Sequence, residues 1–188
     1  MDRIGSAIID FTEAAYDLEV GDEDWLPTIL RRGLPVLEQG LGVAGMRYGR
    51  PPDEGPFQLL DILVASGPED FAERHAAALA TTPPDVLREQ VRPGGAGTAS
   101  MESQGDSEQL AHYTSHVDYC KDLLYITAVD RKGAGVAIVA PLAEVTTLTE
   151  HEAQRWQMLA AHVDAGHRLR HGLADTDPGG ETHTDLPY

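Results

Sequence analysis

A chain of 188 residues in which 41% are hydrophobic and 24% charged carries enough apolar material for one domain with a sizeable core. Its 31 acidic residues against 14 basic ones leave a formal charge of -17, which repels phosphate backbones and argues against direct binding of DNA or RNA. The single cysteine, Cys120, excludes an internal disulfide and a multi-cysteine zinc site, and the N-terminal MDRIGSAIIDF, broken by acidic residues, reads neither as a signal peptide nor as a membrane span, so a cytoplasmic location is expected.

From Ile4 onward, Ile8, Phe11, Ala15 and Leu18 recur at helical spacing, with Asp10, Glu13 and Asp17 on the other side, which predicts an amphipathic helix ending near Gly21. Asp22 or Asp24 is placed to cap a second helix whose buried stripe is Trp25, Ile29, Val36 and Leu37. Pro35 should kink that helix or end its regular bonding near Arg31, because it has no N–H and its ring clashes with the carbonyl four residues earlier. Gly42 to Tyr48 and Phe57 to Ala65 predict a first antiparallel hairpin across PPDEGP. Pro68 then opens a helix with Phe71, His75 and Leu79 on its apolar face, interrupted at Thr82-Pro83-Pro84 and followed by a short amphipathic turn through Val86, Leu87 and Val91.

RPGGAGTASMESQGDSE is poor in large apolar residues and reads as a loop; its glycines lack the lysine and hydroxyl pair of a phosphate-binding loop. A short helix from Ser107 is expected to bring His112, Tyr113 and His116 toward the sheet. LLYITAVD and GVAIVAPL, joined by Arg131-Lys132-Gly133-Ala134, predict a second hairpin, from Leu123 to Val129 and from Val136 to Ala140. Thr149 and Glu152 form a capping-box pair, with Leu148 in front, that announces the longest helix; its face Trp156, Leu159, Val163 and Gly166 points inward. Residues 1–174 are thus expected to form one α+β domain, an antiparallel sheet with the N-terminal and C-terminal helices packed on one face, and 175–188 a disordered acidic tail.

The chemistry-bearing residues cluster between His112 and Cys120, where imidazoles, Tyr113, Asp118 and a thiol could activate a nucleophile or hold a transition metal. A lone cysteine beside a strand is more often a small buried hydrophobe, so Met101, His112, Tyr113, His116 and Cys120 are expected to line a ligand pocket rather than to catalyse. His167 and His171, like His112 and His116, are four apart, but neither pair has the glutamate of a metalloprotease motif after its first histidine: Tyr113 and Arg168 stand there. His167 and His171 read instead as positive charge at a helix C-terminus, and no metal or other cofactor is expected.

EAAYDLEVGDEDWLPTILRRGLPVLEQGLGV, ATTPPDVLREQV, GTAS and LTEHEAQRWQMLAAHVDAGHRLRHGL together resemble a GAF-like domain, and more closely the amino-terminal sensory region of LuxR-type transcriptional regulators of myxobacteria and related bacteria. The resemblance covers most of Glu13 to Leu173 and implies a non-enzymatic sensory or ligand-binding input domain, with the carboxy-terminal helix-turn-helix of such regulators lacking in this chain. LTEHEAQRWQMLAAH also resembles the start of such a helix-turn-helix, but no second capped, basic helix follows. Partners expected on this reading are a small-molecule ligand, a second copy of the chain across Met158, Ala165 and Leu169, and a partner regulator. The alternative is an acidic interaction module that titrates a partner regulator without a ligand. A pocket of a few hundred cubic ångströms favours the first, a filled sheet–helix interior the second.

Overall fold

The computed structural model describes residues 3–49, 58–83, 92–102 and 108–176. The turn expected through Val86, Leu87 and Val91, Phe57 at the start of its strand, and the tail from residue 177 onward lie outside these residues.

Helix α1 (Arg3–Ala15) buries Ala7, Phe11, Ala14 and Ala15, one stripe at helical spacing. It stops at Ala15, so Leu18 falls beyond it and stays exposed, as does Ile4 in the first turn. Helix α2 (Asp22–Leu37) begins after Gly21, which makes no side-chain cap; Asp22, Glu23 and Asp24 instead occupy the first turn, where negative charge favours the helix dipole. The expected break near Arg31 does not occur. The helix runs through Pro35 because Pro35 lies in its last turn, and the buried Val36 and Leu37 beyond it hold the chain against the core.

Five strands form one antiparallel sheet: β1 (Val43–Gly49), β2 (Gln58–Ser66), β3 (Ala96–Thr98), β4 (Asp122–Val129) and β5 (Gly135–Leu142), in the spatial order β2-β1-β5-β4-β3. The two hairpins are joined along β1 and β5, with Gly45 opposite Ile138 and Arg47 opposite Val136. Four of these strands were legible, whereas β3 forms within the expected loop: Ala96, Gly97 and Thr98 pair with Ile126, Tyr125 and Leu124 along the free edge of β4. A short helix α4 (Ala99–Glu102) follows β3, α3 (Phe71–Ala80) precedes it and α5 (Glu108–His116) comes after. Pro68 stands in the turn before α3 rather than in the helix, its carbonyl accepting the Phe71 amide at 3.1 Å.

Helix α6 (Glu150–Thr176) starts at the expected box: the Thr149 amide donates to Glu152 Oε2 at 2.8 Å and the Glu152 amide to Thr149 Oγ1 at 3.3 Å. Helices α1, α2 and α6 cover one sheet face, packing Phe11, Leu26, Ile29, Trp156, Leu159 and Val163 on Leu124, Ile126, Val136 and Ile138. Gly166 is where α6 meets the end of α1, and not a site of close approach for a second subunit; a Cβ there would lie 2.0 Å from the Ala15 carbonyl oxygen. Arg170 ties the α1–α2 connection to α6: its guanidinium donates to the carbonyls of Asp17 at 2.5 Å and Val20 at 2.7 Å and to Asp22 Oδ1 at 2.9 Å, stacked over Trp25. None of the described helices is long and apolar enough to cross a membrane.

Candidate functional site

The opposite sheet face carries a smaller, more aromatic core. Ala44, Met46 and Tyr48 alternate along β1, Ala137 and Val139 along β5, and Phe71 and Leu79 pack on them from α3. On α3, Phe71 and His75 are one turn apart, and their rings stack in parallel with centroids 4.0 Å apart. Tyr113 from α5 meets His75 edge-on at 5.2 Å, its hydroxyl hydrogen-bonded to His75 Nδ1. Burial pushes the Tyr113 hydroxyl well above its ordinary pKa, with Cys120 and Tyr48 adding to the effect, and burial pushes His75 down to about 4. At neutral pH the phenol is therefore the donor and the neutral imidazole the acceptor.

The residues singled out in the sequence separate on this scaffold. Tyr113 meets His75 at the aromatic core. His112 Nε2 lies 3.2 Å from the Ala78 carbonyl and 2.9 Å from Thr81 Oγ1, so its ring satisfies the C-terminal end of α3. His116 Nδ1 lies 3.1 Å from the His112 carbonyl in the last turn of its own helix. Met101 is 45% exposed, and its sulfur accepts the Leu148 amide at 3.4 Å on the loop leading into α6. Asp118 is drawn to the surface by Arg74, at 2.6 Å, which also holds Asp70 at 2.5 Å.

Cys120 is fully buried, donates to the Asp122 carbonyl at 2.8 Å, and burial pushes its thiol up to about 11. At pH 7 that leaves about one thiolate in ten thousand. Native protein is accordingly expected to resist iodoacetamide and to be alkylated at Cys120 once unfolded in urea; comparable rates in both states would contradict the burial.

His75 was legible only as one position of an apolar helix stripe. Nothing in its spacing distinguishes a histidine that accepts a phenolic hydroxyl from a leucine, since Tyr113 arrives from 38 residues away.

On the helix-covered face, a cavity of about 10 Å³ lies between Leu37, Leu124, Ile126, Ile138, Ala140 and Trp156. That is below the ~300–1,000 Å³ of ordinary small-molecule sites. This interior is filled by its own side chains.

Compared by sequence, the chain matches no family model and no curated protein. Compared by structure, it is similar to the phycocyanobilin-bound GAF domain of a cyanobacterial phytochrome, with a TM-score of 0.54 at 16% identity over 92% of this chain and 98% of that one. The fold is GAF-like. A phycoerythrobilin-bound GAF domain from a cyanobacterial phytochrome also matches, with a TM-score of 0.49 at 14% identity over 93% of this chain and 99% of that one. Among the described residues, the terminal helices share one sheet face, and α3 and α5 pack on the other.

Proposed function

We propose that this chain is a non-enzymatic, cytoplasmic sensory domain, akin to the input regions of LuxR-type transcriptional regulators, with residues 1–174 as the domain and the acidic segment from 175 as its tail. The observation that carries the reading is the aromatic, partly polar core under α3 and α5, where Phe71 packs with Met46 and Tyr48 and stacks on His75, which in turn meets Tyr113. Aromatic faces combined with a few fixed polar groups are what small-molecule sites are lined with. The phytochrome domain of the same fold holds phycocyanobilin, which supports a small organic ligand as the class of signal.

Native mass spectrometry of untagged chain tests this. Retention of a small organic mass, lost on denaturation, is expected, and a chain that carries none from any source and is not stabilised by added small-molecule libraries would count against a ligand. The filled interior beneath α1, α2 and α6 supports a second reading, an acidic module that docks on a partner regulator. On either reading the charge of -17 predicts no duplex DNA binding at physiological salt, which electrophoretic mobility shift with the full chain would check.

The proposal includes a homodimer across the outer flank of α1 and α6, where Ile4, Ile9, Met158 and Leu169 are exposed. Ala165 is half-buried beside them. Covering a leucine is worth ~1.5–3 kcal/mol, so Leu169→Glu is expected to weaken the dimer about tenfold or more. Association should tighten with added salt as repulsion between two acidic subunits is screened. Sedimentation velocity decides: a wild-type monomer at every concentration ends the idea, and a dimer indifferent to Leu169→Glu moves the interface elsewhere.

A further inference from the structure

We propose that Asp130, His167 and His171 form a binding site for a divalent transition-metal ion of the zinc class, which fastens the β4–β5 turn to the outer third of α6. Among the described residues, these three offer ligand atoms that all lie within 4.8 Å of one another. Two imidazoles come from one face of α6, at the i and i+4 positions, and the carboxylate from the residue just after β4. His171 Nδ1 lies 3.6 Å from Asp130 Oδ2. The two rings stand edge to face with centroids 4.3 Å apart.

The sequence reading of this pair as charge at a helix end fails on position and on burial. Helix α6 continues to Thr176, so neither histidine lies in its last turn. His167 is 3% exposed, a place where a charged ring would lose its hydration.

The arrangement is that of a ligand set with its supporting bonds in place. His167 Nε2 donates to the Ala134 carbonyl at 3.1 Å, which leaves Nδ1 as the bare nitrogen of the neutral ring. That atom is buried and has no hydrogen-bond partner among the described residues, the condition in which a lone pair gains most from a cation. Metal-bound histidines regularly donate their other N–H to a carbonyl or carboxylate in this way.

Asp130 is equally fixed. Its Oδ1 accepts the amides of Lys132 at 2.8 Å and Ala134 at 2.9 Å, which leaves Oδ2 toward His171. Bonds of ~2.0–2.1 Å to zinc place tetrahedral ligands about 3.4 Å apart, so the set must draw inward by roughly 1 Å. His171, with 38% of its side chain exposed, has room to turn. Two imidazoles and one carboxylate suit zinc, nickel or copper rather than calcium or magnesium, and three protein ligands leave a position for water or a partner's side chain.

The test is calorimetric titration of zinc chloride into full-length chain without a histidine tag, freed of metal by chelation. One equivalent is expected to bind. His171→Ala and Asp130→Asn should each weaken binding about tenfold or more. His171 is partly exposed, Asp130→Asn keeps the shape of a side chain that is 6% exposed, and both variants are checked for folding by circular dichroism. The double variant His112→Ala, His116→Ala should bind as wild type does. Zinc should also slow hydrogen exchange at the Lys132 and Ala134 amides. No saturable binding, binding indifferent to His171→Ala, or binding lost in the His112, His116 double variant each overturns the proposal.

Discussion

Gly166→Ala is expected to destabilise the chain by about 2 kcal/mol, although alanine is the better helix former. The added Cβ would sit 2.0 Å from the Ala15 carbonyl oxygen and 2.9 Å from its carbon, and the obstacle is backbone that cannot swing aside. The Ala15 carbonyl is pinned, since Trp25 Nε1 donates to it at 3.1 Å and Ala15 itself is 1% exposed. Relief requires α1 to back away from α6, loosening Phe11, Ala14 and Val163 together; overpacking of this kind costs ~1–3 kcal/mol and occasionally more, offset by up to ~1 kcal/mol of helix propensity. Gly172 supplies the control on the same helix, because nothing lies within 4 Å of a Cβ built there. Gly172→Ala should leave stability unchanged or raise it by up to ~1 kcal/mol. Urea unfolding of the two variants should therefore shift the midpoint in clearly different directions, and a Gly166→Ala chain as stable as Gly172→Ala would mean that α1 does not pack on α6 as described.

What could be read from the sequence was what local chemistry decides. The Thr149–Glu152 box and the β4–β5 hairpin are written in residues a few positions apart, and both form as read. β3 was missed because AGT has neither bulk nor alternation; only the open edge of β4, a tertiary fact, makes it a strand. Pro35 misled in the opposite sense, since a local penalty of ~3 kcal/mol for an interior proline is smaller in the last turn, where fewer bonds remain to break, and the burial of Val36 and Leu37 opposes it. The same division holds for the sites. Tyr113 could be named from its neighbours in sequence, but His75 as its partner could not, and Asp130 stands 37 residues before His167 with no spacing rule to join them.

Acidification from pH 7 to pH 4 is expected to remove up to about 3 kcal/mol of stability through His75 alone, the second large effect. Its ring is fully buried, between Phe71 and Tyr113, and burial lowers its pKa to about 4, against 6.5 for an exposed histidine. The unfolded chain therefore binds a proton at this residue at a pH where the folded one does not. Its contribution is intact above about pH 6.5, falls by up to ~1.4 kcal/mol per pH unit between there and about 4, and loses nothing further below. Protonation would also turn Nδ1 into a donor facing the Tyr113 hydroxyl, removing the acceptor on which α5 is held to α3. His75→Phe isolates the effect. Phenylalanine keeps the stack on Phe71 but cannot titrate, while His167, also lowered by burial, titrates in both proteins and cancels from the difference. Urea unfolding at several pH values should show the wild type losing stability more steeply than His75→Phe between pH 6.5 and 4, with the two running parallel above 7. Parallel curves throughout would mean that His75 is solvated or already paired with an acid, and the aromatic core under α3 and α5 would lose the buried neutral imidazole on which its recognition of a small ligand is argued.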